Sequence, residues 1–150
     1  AFVTLSDAQI RALPTTPIVL VPSPGEGKFI APISAWFYLN WAEDFSNLNA
    51  SGLIGVGYTG VNNSPLSPFF GAQLSNLLED GASHVAFMGI KSDVVSLANY
   101  TSAIGQFQDE PGVIGAALEL FGVNPTDGDF EDGDGCTLTC VLWYSIVDLS

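Results

Sequence analysis

Asp127, Asp129, Glu131, Asp132 and Asp134 put five carboxylates into eight residues. Hard oxygen donors at that density are what a calcium ion takes as ligands. The spacing is not that of an EF-hand. Counted from Asp127, the sixth position is Asp132 where the loop needs glycine, and the twelfth is Leu138 where it needs glutamate. Aspartate and glycine are also ordinary turn residues. The stretch therefore reads first as a solvated acidic turn before the last strand. The alternative is an irregular calcium site on those five side chains. No other metal or cofactor is called for.

The remaining reactive residues do not assemble into a catalytic pattern. Glu43-Asp44, Glu79-Asp80 and Asp109-Glu110 are adjacent carboxylates. A glycosidase needs its two acids facing each other across a cleft, and neighbours on a strand point to opposite faces. His84 is the sole histidine, and no Gly-x-Ser-x-Gly accompanies it. Gly25-Glu26-Gly27-Lys28 lacks the P-loop spacing and the following Ser or Thr, and reads as a hairpin turn. Cys136 and Cys140 are four apart. On a strand that is ~13 Å, too far for a disulfide, so both read as buried thiols on one face. The chain reads as a protein that is not an enzyme.

Charge narrows the partners. The 150 residues carry 3 Lys+Arg against 16 Asp+Glu, a net charge of -13. Arg11, Lys28 and Lys91 cannot make a phosphate-binding groove, so nucleic acid is excluded as a partner. Anionic membrane surfaces are disfavoured for the same reason. Yet only 13% of residues are charged while 47% are hydrophobic. Much of the surface must then be neutral, which suits burial against other protein surfaces. The opening residues lack the basic and apolar regions of a signal peptide, and no apolar run reaches the ~20 residues of a membrane span. The chain is expected to be made and kept in a cytoplasm, or released by lysis.

The elements that would position these residues are mostly strands. Gly and Pro punctuate the chain every ten residues or so, as in sandwiches and barrels. Strands are expected at Ile18–Val21, Phe29–Trp41, Leu53–Tyr58, His84–Ile90, Val113–Phe121 and from Leu138 to Ile146. In the second of these, Ile33, Ala35, Phe37, Leu39 and Trp41 share one face and Ser34, Trp36, Tyr38 and Asn40 the other. Aromatics on both faces predict that both are covered, the second by another subunit. Ser67-Pro68, followed by Phe70, Leu74, Leu77 and Leu78 at helical spacing and then Gly81, predicts a helix. A shorter helical turn is expected within Leu5 to Leu13, capped by Ser6 or Asp7 and stopped by Pro14. Residues 93–107 fit neither pattern. The fold expected is mainly β, an antiparallel sandwich of jelly-roll type with one or two short helices. Residues 1–16 form an N-terminal arm with a short helical turn, and 17–150 form the single domain.

Two segments resemble a known group. They are Leu13-Pro14-Thr15-Thr16-Pro17-Ile18-Val19-Leu20-Val21-Pro22-Ser23-Pro24-Gly25-Glu26-Gly27-Lys28 and the end of the chain: Pro125-Thr126-Asp127-Gly128-Asp129, Gly133-Asp134-Gly135, Thr137-Leu138-Thr139 and Trp143 to Leu149. Together they resemble the head decoration, or capsid cement, proteins of tailed phages. The acidic insertion Phe130-Glu131-Asp132 and Cys136 depart from that pattern. The resemblance implies a structural virion protein on the outer surface of an icosahedral head, a homotrimer that binds the major capsid protein and stabilises the shell. Trp36, Tyr38, Trp143 and Tyr144 are the interface anchors to expect, since aromatics dominate interface cores. The alternative is a tail or fibre module of similar fold that binds a cell-surface glycan.

Overall fold

A computed structural model describes residues 1–48, 52–59, 70–73, 77–78, 81–89, 114–124 and 128–150. The protein is mainly β, with one short helix bounded among the described residues. Its elements are β1 (Phe2–Ser6), α1 (Asp7–Arg11), β2 (Ile18–Val21), β3 (Lys28–Asn40), β4 (Phe45–Ser46), β5 (Leu53–Tyr58), β6 (Phe70–Gln73), β7 (His84–Gly89), β8 (Leu118–Val123), β9 (Glu131–Asp132) and β10 (Thr137–Asp148). They form two four-stranded antiparallel sheets, β1-β10-β3-β7 and β2-β8-β5-β6, and a two-stranded piece, β4-β9.

The long strands follow the alternation in the sequence. In β3, Ala35, Phe37 and Leu39 are buried while Trp36, Tyr38 and Asn40 are exposed. In β10, Leu138, Cys140 and Leu142 are buried. Period-two patterning turns every second side chain inward. Both sheets feed one apolar cluster, which takes Phe37, Leu39 and Leu138 from the first and Ile54, Val56, Leu118 and Leu120 from the second. Both cysteines are buried in it and carry free thiols. Ile33 leaves the pattern. The β3–β10 register shifts between Ser34↔Trp143 and Pro32↔Tyr144, so Ile33 is the extra residue of a bulge and is exposed.

Residues 1–16, expected as an arm, pack on the sheet and core of the same chain. Residues Phe2–Ser6 pair with Thr137–Val141, and Leu5, Ile10 and Leu13 are fully buried in the shared cluster. Three large aliphatic residues this close together stabilise the domain only if they stay on it. Of the two cap candidates, Ser6 caps α1, through a reciprocal box with Gln9. Behind the helix, the Gly122 N–H of β8 donates to the Leu13 carbonyl at 3.1 Å. A Cβ on Gly122 would come within 3.0–3.2 Å of Phe130, Pro14 and Leu13, so glycine permits that approach.

The helix expected after Pro68 is a strand where it is described first, at Phe70–Gln73, in register with Leu53–Val56 of β5. The ladder from Leu53↔Gln73 to Val56↔Phe70 overrides a short helical spacing. Leu77 and Leu78 are helical and buried. The strand expected from Val113 begins only at Leu118, because Ile114 and Gly115 form a turn in which Gly115 has φ 77°. Gly25 and Gly27 also have positive φ, but they join β2 and β3, which lie in different sheets, so the turn is no hairpin. Residues 93–107 lie outside the described ones, as do Glu79, Asp80, Asp109 and Glu110.

Candidate interaction surface

Registers across the first sheet bring separate segments of sequence onto one exposed face. Phe2 of β1 lies opposite Val141 of β10, which lies opposite Trp36 of β3. In the next row Thr4, Thr139, Tyr38 and Val85 stand in line across four strands. The Thr4 and Thr139 hydroxyls are hydrogen-bonded at 3.0 Å, which fixes both side chains on this face. Trp143 lies opposite Ser34, two residues along from Val141.

This face is apolar and uncharged. Phe2 and Val85 are both well exposed, and Trp36, Tyr38 and Trp143 are 42%, 44% and 61% exposed. The remaining outward residues of the three strands β1, β10 and β3 in these rows are Thr, Ser, Val and Asn. In a chain of net charge -13, three adjacent strands without one outward carboxylate concentrate what the composition implied. Tyr144 does not join them. It is one residue beyond Trp143, so by alternation it shares the face of Leu142, and it is 36% exposed where that face runs past the core. Three of the four expected anchors thus share a surface and the fourth lies on the reverse.

The acidic stretch is engaged within the chain. Arg11 Nη1 lies 2.7 Å from Asp134 Oδ1 and also donates to the Asp132 carbonyl at 3.0 Å. Thr15 donates to Asp129 Oδ1 at 2.6 Å, and Ser46 donates to Asp132 Oδ2. The Asp134 carboxylate raises the Arg11 pKa further above its already high value. Amide donation from Gly135, then from Ala8, holds Asp7 below the usual carboxylate range. Glu131 is exposed on β9, and Asp127 lies outside the described residues. Among the described residues, no three His, Cys, Asp or Glu side chains converge on one point.

Other candidates are scattered. Asp44 accepts from the Trp41 indole at 2.9 Å, and Glu43 beside it is exposed. His84 opens β7 opposite Leu39. Burial pushes the Cys140 thiol up to about 12. Cys136 sulfur accepts from the Ala42 amide at 3.2 Å and donates to the Glu43 carbonyl at 3.2 Å. Sequence reasoning found the aromatic residues of the face but not Phe2, Thr4 or Val85. Their membership comes from strand pairing over a long sequence separation.

No protein-family model, no curated protein and no solved structure matches this chain. Among the described residues, no helix is long and apolar enough to cross a membrane.

Proposed function

We propose that this chain is a non-catalytic structural protein that assembles through the exposed face of the β1-β10-β3-β7 sheet. The observation that carries the proposal is that uncharged face, with Phe2, Trp36, Tyr38, Val85 and Trp143 exposed on an otherwise strongly acidic protein. Large aromatics at the centre of a neutral patch are the usual anchors of a protein interface. Two antiparallel sheets sharing a core support a sandwich of the jelly-roll kind.

Within that reading, the two end segments that resemble capsid cement proteins favour a homotrimer on the outer surface of a tailed-phage head. There it adds buried area between copies and against the major capsid protein. Light scattering tests the assembly step. A mass near three times 15.8 kDa that falls on combining Trp36→Ser with Trp143→Ser supports it. A monomer that also fails to bind emptied heads overturns it. Retention on a host polysaccharide, lost with the same two substitutions, transfers the face to the glycan-binding reading.

A further inference from the structure

The long antiparallel partners β3 and β10 outrun their neighbours. β1 reaches Val141, with Ala1 still bonded to Leu142, and β7 covers only Ser34–Leu39. Residues 28–33 and 143–148 therefore continue as a two-stranded ribbon. Its two edges are treated differently. On the β3 side, the Lys28 carbonyl accepts from the Gly115 amide at 2.8 Å, the Ile30 carbonyl accepts from the Tyr58 hydroxyl, and Pro32 has no N–H to satisfy. That edge is closed.

Among the described residues, the β10 edge is open. Leu142 exchanges bonds with Ala1, on the β1 side, while the Leu149 amide donates to Gly27, on the β3 side. Alternation then turns the N–H and C=O groups of Tyr144, Ile146 and Asp148 outward, where among the described residues no strand meets them. Edges are normally blunted by proline, inward charge or a bulge on the edge strand itself. β2 has Pro17 and Pro22 at its ends, and β1 runs directly into α1. Trp143 to Val147 has none of these devices, and the bulge lies on β3 instead.

We infer that two copies of this chain pair β10 to β10 along this edge, antiparallel about a two-fold axis at Ile146. The pairing is self-complementary. Ile146 meets Ile146 of the second copy, and Tyr144 lies opposite Asp148, a phenol donor beside a carboxylate acceptor. Each of the three residues exchanges both of its outward backbone bonds. Charge also selects this place. Residues 29–33 and 143–147 are uncharged, and at the tip Lys28 Nζ lies 3.6 Å from Asp148 Oδ2. Two chains of net charge -13 meet here with least repulsion. The edge is distinct from the aromatic face, so the two contacts can hold or fail separately.

A pairing over Tyr144–Asp148 buries far less than the roughly 1,200–2,000 Å² of a stable interface, so disulfide trapping reads it better than solution mass. Ile146→Cys places two thiols across the axis on Cα atoms ~5.5 Å apart, within disulfide range. The native cysteines are buried and do not compete. Under mild oxidation, Ile146→Cys should give a linked pair at least about tenfold faster than Val19→Cys, an equally exposed position on the proline-flanked β2. Adding Tyr144→Pro deletes one outward N–H and should cut that rate several-fold, with melting checked on the reduced protein. Linking no faster than Val19→Cys overturns the proposal, as does a rate untouched by Tyr144→Pro in a folded protein. Trp36→Ser should leave the rate unchanged; a rate that falls with it assigns the contact to the aromatic face and overturns the edge pairing.

Discussion

The Tyr58 hydroxyl of β5 donates to the Ile30 carbonyl of β3, and so ties the two four-stranded sheets together through one buried side chain. Ile30 lies past the end of β7, so among the described residues its carbonyl faces no strand on that side. Tyr58 takes the place of a missing neighbour. Tyr58→Phe leaves that buried acceptor unmet and should cost about 1–3 kcal/mol. Chemical denaturation should show the loss as a lower midpoint with little change in slope.

The same tyrosine sets an alkaline limit. Burial raises its pKa from 10.0 to about 12. The folded state therefore holds the phenolic proton over a range where the unfolded chain releases it. The stabilisation is fully present below pH 10 and is lost as pH rises toward 12. Cys140, raised from 9.0 to about 12, adds a loss of the same sign that begins lower. Stability measured from pH 8 upward should fall in wild type, and less steeply above about pH 10 in Tyr58→Phe. Parallel curves would show that Tyr58 titrates normally in the folded protein.

The strands with unbroken alternation were legible. Over Ser34–Asn40 of β3 and Thr137–Trp143 of β10 the alternation gave which residues share a face, because period two needs no knowledge of the partner. That Trp36 and Tyr38 share one face of β3, and Trp143 the face of Val141 on β10, was legible for the same reason. What was not legible depends on pairing. Phe2–Ser6 looked like an arm because its partner lies some 135 residues away, as in Thr4 and Thr139. Phe70–Gln73 looked helical because four residues cannot separate a spacing of 3.6 from an edge strand. Tyr144 fell off the anchor face because the face ends where alternation carries the next residue to the reverse. The bulge at Ile33 has no sequence signal beyond the neighbouring Pro32.

The aromatic face predicts graded effects on assembly. Trp36→Ser and Trp143→Ser should each weaken self-association by roughly 10- to 100-fold, or about 1.4–2.8 kcal/mol, as for anchors central to an interface. Tyr144→Ser, on the reverse, should change it less than about threefold. Sedimentation equilibrium across a dilution series gives the three constants. An equal effect from Tyr144→Ser would show that the contact is not confined to this face.

Calcium removal should do nothing. Asp129, Asp132 and Asp134 already accept from Thr15, Ser46 and Arg11, so a cation would have to displace donors the protein supplies. Melting temperature with millimolar calcium and with excess chelator should agree within about 1 °C. A gain of several degrees with calcium would correspond to binding at many times its dissociation constant, and would restore the acidic stretch as a metal site.

Gly133 is the tightest constraint beside that stretch. Asp132 and Gly133 both have positive φ, 57° and 73°, which turns the chain sharply at the end of β9. Aspartate tolerates that conformation better than most side chains. At Gly133 a Cβ would run into the ring of Phe45, which is buried and in register with Asp132. Gly133→Ala should therefore combine backbone strain with overpacking and cost about 2–4 kcal/mol. That is roughly 4–16 °C in melting temperature for a domain of this size. Gly128 also has positive φ, 94°, but nothing lies within 4 Å of its Cβ position, so Gly128→Ala should cost only the backbone term, about 1–2 kcal/mol. The double variant with Phe45→Leu tests the steric part. Shortening the ring should return some of the loss in Gly133→Ala and none of it in Gly128→Ala. If both alanines respond alike, the turn is limited by φ alone and the Phe45 contact carries no weight.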